Sequence, residues 1–452
     1  MKKKYVALLA CIVCMITVAT AEEEAKSKAR LYDAGVAGVT TYAFDGFDFE
    51  GYKASKFGLA DIVKAEHEFI KQNQQNQQDQ QDQQGKFAVV GHSQGGLRAL
   101  AFATYLQNND AARLNKLQAV VTVSGIAQGI KALDGGLPAA NAKIRRDAAI
   151  LTDGVCGVLT NPVLTQVLLD VLAIFSIYKI SDLKNMWPEI WDFITKFHRM
   201  FDAWIHPALK ASTPGEAQKI LADYGEIRDM IPRSNFIQQN VIESKPYPYQ
   251  VQTGITWHLG WEQVTNRWGW KYWALRWQKS PVYSTYIGYE HTSKLPKNIP
   301  IGYIVGTKNN VLSMTGSKEQ DIRKVLKIAG GVFATAEAVH IAKCVGIVGL
   351  FTGSPRYAAA CVKAREYCWN FDSRVNDLLG SSEHDGLVAK DSQYIPKTVH
   401  DKIVGDKDKG YTTFNYNHLE IFDYNGTKMP PEAVKKEITS MIEEGKSIRK
   451  KS

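Results

Sequence analysis

Four apolar residues, Phe87-Ala88-Val89-Val90, run into Gly91-His92-Ser93-Gln94-Gly95-Gly96, and a helical pattern follows from Gly95 to Leu106. No other stretch constrains the fold as much. A short strand that is apolar throughout suits burial on both faces of a parallel sheet. A helix starting directly behind it is a crossover element. The joint between them reads G-x-S-x-G, which holds a serine on a strained strand-to-helix turn and lifts its hydroxyl above the sheet. Glycines flanking that serine relieve the clashes such a turn creates. The pattern makes Ser93 a candidate nucleophile. The backbone N–H of Gln94, at the positive end of the helix, is a candidate oxyanion donor.

The surrounding chain extends this pattern. Val39 to Phe44 reads as a strand, Ala60 to Ile70 as a helix and Gln118 to Val123 as another buried strand, so β and α segments alternate. Lys26 to Asp33 also reads as helical. Gln72 to Gln84 is almost wholly Gln, Asn and Asp and reads as a solvated loop. Sheet character returns at Ile299 to Val305, and Tyr411–Phe414 and Leu419–Phe422 are candidate late strands. Pro431 to Ile448 reads as a terminal helix. The expected class is α/β: a mostly parallel sheet flanked by helices, with a large helical cap or lid. The expected division is a leader at 1–21, the first core part at 22–130, and a helical, tryptophan-rich cap at 131–294. A core strand at 295–316, a helical insertion at 317–379 and the final core part at 380–452 complete it.

Composition narrows the partners. Lys and Arg number 55 against 46 Asp and Glu, a net charge of +9. Lys2, Lys3 and Lys4 are the only charges in the first 21 residues, so a chain without them carries +6. That excess is spread thinly, without the dense basic face of a nucleic-acid binder. The three lysines, the apolar Tyr5–Val18 run and Ala19-Thr20-Ala21 form the pattern of a cleaved secretory signal, so export to a periplasmic or external compartment is expected. A lipoprotein anchored through Cys11 is the alternative. Beyond the leader, Cys156, Cys344, Cys361 and Cys368 are disulfide partners or buried thiols, and four cysteines allow three pairings. Six of the ten tryptophans (Trp257, Trp261, Trp268, Trp270, Trp273 and Trp277) fall between 257 and 277, interleaved with Arg267, Lys271 and Arg276. That mixture suits a lipid-facing rim, a sugar-stacking surface or plain cap core.

A serine at its ordinary pKa needs a general base, itself held by an acid. The expected order along the chain is serine, acid, histidine. Asp385 lies in Glu383-His384-Asp385-Gly386-Leu387-Val388, directly before a glycine turn, and His418 lies in Asn417-His418-Leu419-Glu420. Ser93, Asp385 and His418 are therefore the candidate trio. His400, in a segment that reads as amphipathic surface, is the rival base, and Glu383 and Asp391 are rival acids. His92 and His384 are expected to be supporting residues.

At these residues the sequence resembles the α/β-hydrolase superfamily, and within it bacterial triacylglycerol lipases and esterases. The GHSQGG elbow is that group's usual form. HDGLV is similar to its acid turn and NHLE to its histidine loop. Ala119 to Gly129 resembles the segment after the next strand, with Gln128 where that group has histidine. Met230 to Ile237 resembles its lid-end segment, with Arg233 in place of glycine. The resemblance covers about half of the chain. It implies a secreted serine hydrolase cleaving lipid or other acyl esters through an acyl-enzyme, without an organic cofactor. Some members hold calcium beside the histidine loop, where Glu420 stands here. The His-Gly oxyanion loop of such lipases does not occur between residues 22 and 93; Phe44-Asp45-Gly46-Phe47 is its candidate replacement, through an N–H of Gly46 or Phe47. That departure leaves a non-catalytic lipid-binding or surface-interaction protein on a degenerate scaffold as the alternative. An acyltransferase using the same three residues is a further one.

Overall fold

The computed structural model describes residues 58–76, 85–135, 225–265, 271–313, 319–344, 354–421 and 430–451, with 142, 143, 146 and 150 besides. The elements are α1 (Leu59–Asn76), β1 (Phe87–His92), α2 (Gln94–Asn109), β2 (Leu117–Val123), α3 (Gly225–Met230), α4 (Asn235–Asn240), β3 (Ile242–Thr265), β4 (Lys271–Ser293) and β5 (Ile301–Gly306). They continue as α5 (Glu319–Cys344), α6 (Ser354–Trp369), α7 (Phe371–Leu379), β6 (Ile403–Val404), β7 (Thr412–Phe414) and α8 (Glu432–Lys451). The expected helix at Lys26–Asp33, the strand at Val39–Phe44 and the apolar run at 163–180 lie outside the described residues.

The main sheet is wholly parallel. β1 pairs with β2 and β2 with β5, while β6 and β7 share the far edge of β5, one along its first half and the other along its second. β2 and β5 are buried at every position because helices cover both faces. On one face α1 and α2 bring Leu59, Ile62, Leu97, Leu100 and Phe102 against Ile301, Tyr303 and Val305. On the other, Val434, Ile438 and Met441 of α8 pack on Val121, Val123 and Ile304. The class is thus α/β, a parallel sheet flanked by helices. α5, α6 and α7 form a separate cluster around Leu326, Phe333, Cys361 and Phe371. Cys361 and Cys368 are buried thiols of α6. Seven residues along a helix is a rise of about 10.5 Å, beyond disulfide reach, so the pairing of those two with each other is excluded.

Three readings of the sequence are corrected. Residues 242–265 and 271–293 are not helical: β3 and β4 form a two-stranded antiparallel ribbon, paired from Ile242↔Ser293 to Thr265↔Lys271. Tyr247, Tyr249 and Val251 alternate with polar residues or prolines, a period of two that no helix accommodates. Pro246 and Pro248 are tolerated because each strand of a two-stranded ribbon is an edge. α1 also runs on to Asn76, so Gln72 to Asn76 are helical; glutamine is a good helix former. Third, Leu419 to Ile421 form a turn, for a reason given below.

The elbow depends on a close approach. A Cβ on Gly96 would lie 2.6 Å from the Gly125 Cα, so α2 packs backbone to backbone on the chain leaving β2. Arg233, where the lipase-like segment has glycine, takes φ 61°, and its guanidinium lies 4.5 Å from the centre of the Tyr289 ring at the root of the ribbon. Gly96→Ala is expected to lower stability by about 1–3 kcal/mol, because backbone cannot yield to the added methyl; urea unfolding followed by circular dichroism measures it, and an unchanged midpoint would contradict the close-approach argument.

Candidate active site

The three candidate side chains arrive at the carboxyl edge of the sheet from different elements. Ser93 follows β1, Asp385 lies beyond β5 after the helical insertion, and His418 follows β7. Ser93 has φ 56° and ψ −125°, a conformation that costs an L-residue about 1–3 kcal/mol. Three backbone hydrogen bonds hold it: its N–H donates to Val123 O (3.1 Å), and its carbonyl accepts from Gly96 (3.0 Å) and Ile126 (3.3 Å). A Cβ on Gly91 would lie 2.1 Å from Gly95 O, so the turn requires glycine there, whereas Gly95 itself has ordinary space.

The structure joins the trio. His418 Nδ1 lies 2.7 Å from Asp385 Oδ2, and His418 Nε2 lies 2.9 Å from Ser93 Oγ. A carboxylate only accepts, so Nδ1 carries the proton; Nε2 is then free to accept the Ser93 hydroxyl hydrogen. Asp385 is fully buried. Burial opposes its charge. The adjacent His418 and the N–H groups of Val388 (2.7 Å) and Leu387 (3.1 Å) outweigh that penalty and hold its pKa below the usual carboxylate value. The main chain repeats the link, His418 N–H donating to Asp385 O at 2.7 Å.

The rivals stand elsewhere. His400 is buried, not on the surface as its segment suggested, and its Nε2 lies 3.3 Å from Ile299 O at the start of β5. The Glu383 carboxylate is largely exposed and pairs with Lys390, and Asp391 pairs with Lys131. His92 and His384 are supports. His92 Nε2 donates to the His418 carbonyl (2.9 Å), with the two rings 5.0 Å apart. His384 accepts from Gly386 N–H (2.9 Å) and donates to Asn376 of α7 (2.7 Å), clamping the acid turn to the insertion. Burial lowers the pKa of His384, so the neutral form that this pattern needs is favoured.

Three supports were not singled out in the sequence. Gln393, fully buried, accepts from Gly306 N–H (2.9 Å) and donates to the carbonyls of Gly306 (3.1 Å) and Val388 (3.2 Å), tying the end of β5 to the acid turn. Asn417 Oδ1 accepts from Glu420 N–H (2.8 Å) while Glu420 Oε2 accepts from Asn417 N–H (3.2 Å). This reciprocal capping box turns Leu419–Ile421 into a single helical turn instead of a strand, and N-x-x-E was the readable signal. Glu226 of α3 accepts from the Gln94 side chain at 2.7 Å, fixing the residue whose N–H heads α2. Gln128, at the lipase-like histidine position, donates to the carbonyls of Asp391 and Tyr394.

The Gln94 N–H stands at the first position of α2, where a helix supplies no acceptor. Gly46 and Phe47, the candidate second donors, lie outside the described residues. So do Cys11 and Cys156. Glu420 is ion-paired with Lys308 at 2.9 Å, and among the described residues no group of three or more His, Cys, Asp or Glu is placed to hold a metal ion. No family model matches the chain, and neither the curated proteins nor the solved structures contain a match.

Desolvation of the half-buried His92 ring, with the neighbouring His418 second, pushes its pKa from 6.5 down to about 3. An unfolded chain therefore binds one proton more at this residue between about pH 6.5 and 3, and folding stability falls as the pH drops through that window. His92→Gln, which keeps a donor for the His418 carbonyl but cannot titrate, is expected to flatten the pH dependence of the unfolding free energy there by up to one proton; an unaltered slope in chemical unfolding at pH 4 to 6.5 refutes the assignment.

Proposed function

We propose that the chain is a secreted serine hydrolase of the α/β-hydrolase fold that cleaves lipid-type or other carboxylic acyl esters through an acyl-enzyme. The observation that carries this reading is the unbroken hydrogen-bond chain from Asp385 through His418 to Ser93, raised on a strained turn at the carboxyl edge of a parallel sheet, where α/β folds bind their ligands. The likeness of residues 91–96, 384–388 and 417–420 to lipase motifs supports the ester class. The leader pattern at residues 1–21 supports export.

In the proposed reaction Ser93 Oγ attacks the ester carbonyl carbon as His418 Nε2 takes its proton. Asp385 stabilises the resulting imidazolium across the 2.7 Å contact. Negative charge moves onto the carbonyl oxygen, towards the Gln94 N–H and the positive end of α2. The carbon–oxygen bond to the alcohol then breaks, and the alcohol leaves with the proton from His418. Water repeats the sequence: His418 removes its proton, the hydroxide adds to the acyl carbon, and Ser93 departs reprotonated. His92, Gln393 and Asn417 act by holding the imidazole and the carboxylate in place.

A fluorophosphonate probe is expected to modify Ser93, identified by peptide mass, and Ser93→Ala to abolish both labelling and hydrolysis of p-nitrophenyl esters. Asp385→Asn is expected to lower kcat by ~10⁴-fold through the wrong imidazole tautomer. A folded chain that neither reacts with the probe nor hydrolyses short- or long-chain esters refutes the proposal and favours a binding protein. Preferential transfer of the acyl group to an added alcohol instead of water indicates an acyltransferase.

A further inference from the structure

We propose that the distal half of the β3–β4 ribbon is a lipid-surface insertion element that seats one face at the headgroup level of an anionic membrane. The inference does not depend on the Ser93 chemistry. It starts from exposure. Ile242 and Ser244 are buried at the root, yet every residue from Lys245 to Thr256 is exposed, as are Tyr283 (54%) and Ile287 (64%) on the strand opposite the root half, and in the distal half Trp277 is 63% exposed. Soluble surfaces seldom carry so much contiguous apolar area without a partner.

The register shows which face is apolar. Between Gln252 and Gly254 the pairing slips by one residue, leaving Thr253 as a bulge that inverts the alternation of β3 relative to β4. Beyond the bulge Trp257, Leu259, Trp261 and Gln263 occupy positions opposite Lys279, Trp277, Leu275 and Trp273. The alternate positions pair Thr256, His258, Gly260 and Glu262 with Ser280, Gln278, Arg276 and Ala274. One row of register positions is therefore almost all tryptophan and leucine and the alternate row mostly polar, over eight residues of each strand. Without the bulge the two strands would put their apolar residues on opposite faces.

Chemistry selects the occupant. Tryptophan is enriched at the bilayer interface, where its ring is buried among headgroups while its N–H stays hydrated. Lys271, Arg276 and Lys279 against the single Glu262 make this segment cationic, complementary to anionic headgroups. Lysines along strand edges, with Pro246 and Pro248 nearer the root, oppose strand addition by a second copy. Both strands are edges of a two-stranded sheet, and their outward N–H and C=O groups would lack partners in hydrocarbon. The ribbon therefore lies in the hydrated interface and does not span it.

The test uses the full chain and vesicles of phosphatidylglycerol with phosphatidylcholine, compared with phosphatidylcholine alone, scored by flotation. The chain is expected to float with the anionic vesicles and to detach as salt is raised. Trp261→Ser with Trp277→Ser should weaken partitioning at least ~tenfold. Lys271→Glu with Lys279→Glu should weaken it for anionic vesicles only, and thermal unfolding checks that both variants fold. Ser93→Ala should float like the native chain, which separates this proposal from the ester reading. Equal flotation of the tryptophan variant overturns it. So does a lipid-free dimer that the same variant dissociates, because the occupant is then a second copy. Release of trapped dye also overturns it, because the ribbon then assembles across the bilayer.

Discussion

A carboxylate removed from water must be satisfied by the chain itself, and leaving one unpaired costs several kcal/mol. Asp385 meets that demand with two backbone N–H groups on one oxygen and an imidazole on the other, while its carbonyl takes the His418 N–H. Its two loops come from opposite ends of a long excursion, one leaving the helical insertion and the other leaving β7. Because side chain and main chain both bridge them, neither loop moves without breaking the satisfaction of the charge. Gln393 extends the constraint to the end of β5, and Asn417 extends it to Ser313 at 3.0 Å. The geometry around Ser93 Oγ is thus a by-product of neutralising one buried charge.

Rigid strands supply the other half. Ser93 at φ 56° and Ser124 at φ 43° leave the neighbouring strands β1 and β2 in left-handed conformations that bulky residues avoid. Each is pinned by an N–H bond to the next strand, Ser93 to Val123 and Ser124 to Ile304. β2, buried at every position, has no room to relax and β1 is paired along it, so the strain stays local and is offset by the packing of α1, α2 and α8. Gly96 against Gly125 brings α2 close enough for its first N–H groups to stand beside the serine.

How much of this was legible in the residues follows from the range of the interactions involved. β2 and β5 declare themselves because burial on both faces requires apolar runs, and β1 carries the same short apolar run although it is only partly buried. The elbow declares itself because the local backbone demands glycine at 91 and 96. Asp385 and His418 could be picked out because short turn grammar surrounds each. Gln393 could not: its three bonds go to Gly306, 87 residues away, and to Val388, and a glutamine before a tyrosine carries no local mark. The ribbon was misread as cap helix because a dense run of aromatics does not by itself distinguish strand from helix; the alternation that marks β3, at Tyr247, Tyr249, Val251, Ile255, Trp257, Leu259 and Trp261, has to be followed along the whole strand. His400 looked like a surface residue because its burial depends on β5, a hundred residues earlier.

The two cysteines of α6 carry a consequence for handling the molecule. Burial, aided by Glu337, raises the Cys361 thiol to about 11, and burial raises Cys368 to about 12. Thiolate is the form that attacks alkylating agents and disulfides, so at neutral pH both sulfurs are chemically quiet while α5, α6 and α7 stay packed. Their reactivity appears only when that cluster opens. Alkylation at these two positions therefore works as a clock for opening of the helical insertion, the element to which His384 ties the acid turn.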